Sequence, residues 1–397
     1  MNLYISKSDV TSDKNVILDD MILTTHLPTS AGSKMLDGYK SLFEAEVVTK
    51  LKDAGYNPYA KANTGEFGLG LLGETSFYGA CVSDGKVKNA SAEIVKNDEA
   101  IAAVVSEVNG TYTRAASLEN LVFVKPTYGT VSRYGTIPAV CSGEAVSVLS
   151  KTAEDCRKVL CVISGHDDKD GTSLPEDKCA LLKCGADRCE IKKIALIKSL
   201  YDTVDDETKA VIDAFKKAAN VEIVEIDGSE LLNAKPAWNV LMSAELCNNV
   251  SRYEGVKYGY RSKNYTNIDE LYTNSRTEAF GYLTKSTILF GSETLSDDNY
   301  MKVYDKSLRM RRVLSEYMNS LLSECDALLL PACSKRAYTE NEVKDNKYIS
   351  YDESLYTAPA AITGLPVVVT NGVQLVGKAF SENSLLDLAK KLTGEGK

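Results

Sequence analysis

Histidine is scarce in this chain: His26 and His166 are the only two among 397 residues. A Ser-His-Asp hydrolase or a histidine-rich metal site has almost nothing to be built from. Long apolar runs are missing too, since none approaches the ~18 residues that a membrane helix needs. The opening Met1-Asn2-Leu3-Tyr4-Ile5-Ser6-Lys7 lacks the apolar core and small-residue cleavage site of a secretory signal. Clusters of Lys and Arg are absent, and 46 basic against 55 acidic side chains leave a net charge of −9. Such a chain has no electrostatic grip on nucleic acid by itself. No fixed-period repeat, low-complexity stretch or Pro/Gly/Ser linker divides it.

What is present reads as a soluble globular protein, 44% hydrophobic and 25% charged. Ten cysteines sit mostly inside apolar segments, as small hydrophobes do in reduced proteins, so the cytoplasm is the expected compartment. Cys179, Cys184 and Cys189 recur with four intervening residues, but a zinc site needs a fourth ligand and usually tighter pairs. Neither a metal nor a cofactor is expected. Strand-like and helix-like segments alternate. Glu44 to Ala54 predicts an amphipathic helix with Val47, Val48 and Leu51 on one stripe and Gly55 as its stop. Ala100 to Val105 predicts a buried strand. Thr152 is the expected N-cap of a helix that carries Val159, Leu160 and Ile163 and ends near Gly165. Ile194 to Ile197 reads as a strand, followed by a helix from about Glu207 to Ala219 and a half-buried strand at Val221 to Ile226. A long helix from about Asn299 to Ser323 leads into the strand Ala327 to Leu330, closed by Pro331. Asn371-Gly372 predicts a hairpin turn between two strand runs, and Ser381 the N-cap of a last helix to about Leu392. The pattern implies one α/β domain over 1–397, a large mixed β-sheet covered by helices on both faces.

Several segments carry a resemblance. Lys125 to Pro138 (KPTYGTVSRYGTIP) and Ile163 to Asp167 (ISGHD) resemble the amidase signature family, and within it the A-type amidotransferase subunits. Ser33 to Tyr39, Val47 to Gly55, Ser251 to Ser262 and Ser381 to Leu392 extend the match over nearly the whole chain. The resemblance implies glutamine amide hydrolysis supplying ammonia for the amidation of misacylated glutamyl-tRNA, with B- and C-type partner subunits. It implies a site of one lysine and two serines. A buried neutral lysine serves as base, a bridging serine relays the proton, and backbone N–H groups of a Gly-rich loop hold the oxyanion.

Residue by residue, the family's lysine lies on a strand before Asp-Asn, and Lys7 is its nearest match. The helices that precede that strand in the family are missing, so the domain is expected to be N-terminally trimmed. Counting back from KPTYG puts Ser106 to Thr113 at the nucleophile segment. Thr111 then stands for the serine, with Val108, Asn109 and Gly110 as the oxyanion loop. The bridging serine falls at Val87, which cannot relay a proton; Ser83 or Ser91 are possible replacements. Tyr260 and Arg311 match positions that hold the α-amino and carboxylate groups of glutamine or another small amide, and the family's acidic partner falls at Ser354, beside Asp352 and Glu353. Three readings stay open: an A-type subunit with impaired or lost catalysis, a pseudoenzyme; an active amidase using Thr111; and a non-enzymatic binding or scaffold protein.

Overall fold

The computed structural model describes residues 1–183 and 188–395; Cys184 lies outside them. Thirteen strands are described: β1 Tyr4–Lys7, β2 Asn15–Asp19, β3 Asn57–Ala62, β4 Cys81–Ser83, β5 Lys86–Lys88, β6 Ala102–Glu107, β7 Val122–Lys125, β8 Ala145–Ser150, β9 Lys193–Ile197, β10 Glu222–Ile226, β11 Ala327–Leu330, β12 Val367–Thr370 and β13 Val373–Gly377. Eleven of them form one mixed sheet in the order β1-β3-β2-β6-β8-β7-β12-β13-β11-β9-β10, while β4 and β5 pair as a separate hairpin. Strands β3, β2 and β6 run parallel to one another, and β6 is antiparallel to β8.

Successive side chains on a strand face opposite sides of the sheet, and both sides are apolar. On β2, Ile17 joins one core together with Trp238, Leu241 and Tyr356. Val16 and Leu18 join the other with Val47, Val159, Phe215 and Leu386. The second face is covered by the helices Glu46–Asp53, Ala153–Ile163, Asp206–Ala218 and Glu382–Thr393, whose apolar stripes are legible in the sequence. Helices Ala234–Asn249 and Ile349–Thr363 cover the first. This is the covered mixed sheet that the alternation implies.

Local chemistry explains most boundaries. The Thr152 hydroxyl accepts from the Asp155 N–H at 3.0 Å, as an N-cap should. Asn371 and Gly372 both have positive φ, +48° and +77°, the geometry of a two-residue hairpin turn. Ser381 does hold the N-cap position of the last helix, but its hydroxyl donates to the Lys378 carbonyl at 2.7 Å and caps nothing.

Candidate active site

Strand β6 ends at Glu107, the chain turns through Val108-Asn109-Gly110, and the helix Thr111–Glu119 begins. Gly110 makes the turn with φ +80°. A helix start normally leaves backbone N–H groups to bind an anion. Here the Glu107 carboxylate takes them, accepting from the N–H of Tyr112 at 2.9 Å and of Thr113 at 3.1 Å, and from the Thr113 hydroxyl at 2.7 Å.

Thr111 is 4% exposed, and its hydroxyl donates to the Gly70 carbonyl at 2.8 Å. Arg114, fully buried, braces the same place. Its Nη2 donates to the carbonyls of Asn109 at 2.7 Å and Gly70 at 3.4 Å, and its Nε to that of Leu71 at 3.1 Å. The Asn109 side chain is wedged in turn. Trp238 Nε1 donates to its Oδ1 at 3.2 Å, and its Nδ2 points at the carbonyls of Ser350 and Leu69 at 3.4 and 3.5 Å. Beside the loop remains a cavity of about 10 Å³, lined by Glu107, Gly110, Thr113, Lys125 and Thr357 among others. That volume holds one water at most.

Gly110 itself is covered by the helix Ile349–Thr363: a Cβ there would lie 2.3 Å from Thr357 Oγ1. Gly110→Ala is therefore expected to lower stability by about 2–3 kcal/mol, through left-handed strain and overpacking together. Chemical denaturation of the variant checks this.

Of the other residues singled out from the sequence, Lys7 lies on the edge strand β1. Its ammonium is 3.8 Å from Glu99 and sits over the rings of Tyr4 and Tyr59. Among the described residues it shares no hydrogen bond or ion pair with Thr111. Val87 is buried in the β4–β5 hairpin, where its N–H donates to the Tyr338 carbonyl at 2.9 Å. The Ser91 hydroxyl is buried without a partner. Tyr260 donates its hydroxyl to Glu278 at 2.8 Å, under the Lys34 ammonium. Arg311 spends its fork on protein groups instead. Nε donates to the Ile362 carbonyl at 2.7 Å, Nη1 to the Ser142 hydroxyl at 2.8 Å, and Nη2 to the Ser142 carbonyl. Ser354 donates to the Tyr351 carbonyl at 2.7 Å, and Asp352 pairs with Lys235 at 3.0 Å. The loop and Thr111 are thus contiguous, while Lys7, Val87, Tyr260 and Arg311 each have partners of their own.

Two groups near Thr111 were not singled out from the sequence. Asp19, at the end of β2, is fully buried. It accepts from the Ser106 N–H at 2.6 Å, the Met21 N–H at 3.0 Å and the Tyr112 hydroxyl at 3.0 Å. Burial pushes its carboxyl up to about 7, against these three donors and the Lys61 charge. Lys61, on β3, is itself held down to about 8 by burial, with Asp20 and Asp19 opposing. The second group is Lys125, whose ammonium donates to the Leu365 carbonyl at 2.8 Å and is pushed down to about 8 by burial. Adjacent acids directly after the apolar run Val16-Ile17-Leu18 were the only sequence signal for Asp19.

Comparison with known proteins agrees with the fold. The sequence profile of the amidase family matches residues 16–386. The A-type subunit of glutamyl-tRNA(Gln) amidotransferase from Nitrosococcus oceani is 32% identical over 94% of this chain and 81% of its own length. Its counterpart in Pseudomonas aeruginosa is 33% identical over 93% and 81%. The crystal structure of the corresponding A-type subunit from Thermotoga maritima superposes with a TM-score of 0.78 at 26% identity, covering 99% of this chain and 87% of that one.

Proposed function

Because the chain belongs to the amidase family, we propose that it is an A-type amidotransferase-subunit homologue whose amide-hydrolysing site has closed. One observation carries this reading: the Thr111 hydroxyl is buried and commits its proton to the Gly70 carbonyl. A nucleophile needs a base within hydrogen-bond reach, and a carbonyl oxygen is not one.

The surroundings support the same conclusion. Asn109, Trp238 and Arg114 fill the space beside the loop, and Glu107 occupies helix N–H groups that would otherwise face an anion. Asp19 stands where the lysine base belongs in this proposal. Its strand β2 lies directly beside β6, its carboxylate reaches the residues flanking the loop, and Asp20 follows it as an acid follows the family's lysine. Its three donors are the Ser106 and Met21 N–H groups and the Tyr112 hydroxyl, and the Thr111 hydroxyl is not among them. Val87 at the bridging position supplies no hydroxyl for the relay, and the Ser91 hydroxyl makes no hydrogen bond to Thr111.

In this reading the chain keeps the fold to assemble with B- and C-type subunits. It contributes structure, not ammonia. Glutamine hydrolysis by the purified chain, alone and with such partners, is expected to be indistinguishable from the Thr111→Ala variant. Turnover that Thr111→Ala abolishes overturns the proposal and restores the active-amidase reading.

A further inference from the structure

A second cavity, of about 230 Å³, lies between the β4–β5 hairpin and the helices Tyr282–Thr294 and Glu340–Asp345. It is smaller than the about 300–1,000 Å³ of a drug-sized site. Three carboxylates line it: Glu66, Glu74 and Glu340, the last paired with Lys344 at 2.7 Å. Glu66 is only 3% exposed and accepts from the Ser33 hydroxyl at 2.5 Å, the Gly281 N–H at 2.8 Å and the Thr284 hydroxyl. Glu74 accepts from the N–H groups of Leu71 and Leu72 at 2.8 Å and of Gly73 at 3.1 Å.

A carboxylate offers about four acceptor positions, so Glu66 and Glu74 each retain one. Among the described residues neither of these two forms an ion pair. Glu66 is buried, which raises its carboxyl above the usual range, and Glu74 is half-buried; a cation in the cavity would stabilise the ionised form of both. The walls are apolar, through Val87, Leu283 and Val343, and the exposed Lys347 stands at the rim with its ammonium over the Tyr282 ring. The Glu340–Lys344 pair offsets itself, so the charge left over runs from negative at Glu66 and Glu74 to positive at Lys347.

From this cavity, its unpaired carboxylates and its basic rim, we infer that the chain binds a small zwitterion, an α-amino acid with an apolar side chain. The ammonium sits against Glu66 and Glu74, the side chain against Val87 and Leu283, and the carboxylate towards Lys347. Neither Thr111 nor the loop Val108 to Gly110 lines this cavity, so the inference does not depend on whether that loop is catalytic. Val87, placed at the bridging position by the family count, belongs to its wall.

Calorimetry on the full chain tests it with four probes: L-leucine, isopentylamine (the ammonium without the carboxylate), isovalerate (the carboxylate without the ammonium) and calcium chloride. Leucine is expected to bind, isopentylamine more weakly, and isovalerate not at all. Glu74→Gln should weaken leucine about 10-fold or more. Because Glu74 also braces its own loop, Val87→Phe provides the second variant: it pushes a ring into the apolar end of the cavity, spares both carboxylates and should abolish binding in a chain that still unfolds cooperatively. Lys347→Ala should weaken leucine and leave isopentylamine as it was. Binding of isovalerate, displacement of leucine by calcium, leucine binding that survives Val87→Phe, or no heat at about 10 mM leucine overturns the inference.

Discussion

Trp238→Ala lowers the stability of this protein by about 3–5 kcal/mol, the range for removing a fully buried indole. The ring is the largest fully buried side chain in the molecule. It packs against Gly143, where a Cβ would lie 2.2 Å from its Cη2 atom. Its Nε1–H also satisfies Asn109 Oδ1, so the truncation strips a buried acceptor of its partner as well. The effect reaches the candidate site directly, because Asn109 stands in the loop before Thr111. Denaturant unfolding measures the loss. A cost below about 1 kcal/mol would show that the indole does not hold the loop closed.

Asp19→Asn changes the pH dependence of stability more than stability at any one pH. Burial raises the Asp19 carboxyl from 3.8 to about 7 in the folded chain. The folded state then holds this proton more tightly than the unfolded state between about pH 4 and 7. Stability from this group is full below the unfolded value and is lost as the pH rises through the folded one. At about 1.4 kcal/mol per unit, the shift amounts to about 4 kcal/mol at most. Asn cannot titrate, so the stability of the variant relative to the parent should climb by that order from pH 4 to 7. The titratable groups acting on Asp19 are Tyr112 and Lys61, and both remain in the variant. A constant offset would show that the carboxylate stays ionised throughout. Denaturant titrations at several pH values separate the two.

The parts of the fold that could be read from the sequence share a cause. β11 spans Ala327–Leu330, as expected from an apolar run closed by Pro331, and the Asn371-Gly372 turn declares itself through residues that accept positive φ. The helices Glu46–Asp53 and Asp206–Ala218 show an apolar stripe because their outer faces meet water. Helix Ile349–Thr363 was not legible for the opposite reason: it is buried from Ile349 to Ile362 on most sides and holds Pro359 in its interior. No polar face marks its period.

The site divides along the same line. Val108 to Thr111 follow from a count along the chain, and they do lie together at a strand-to-helix turn. The residue facing them from β2 does not follow, since the contact between Asp19 and Ser106 joins residues 87 positions apart. It depends on the parallel pairing of β2 with β6. Lys7 offers a lysine on a strand, but that strand is the sheet edge, separated from β6 by β3 and β2.

The central claim, that the Thr111 site is closed, is tested most directly by intact mass after incubation with a fluorophosphonate. Such a reagent forms a P–O bond to an activated hydroxyl and releases fluoride. With Thr111 buried and its hydroxyl held by the Gly70 carbonyl, the mass should stay unchanged. One phosphonyl adduct, mapped to Thr111 and absent from Thr111→Ala, would contradict the claim.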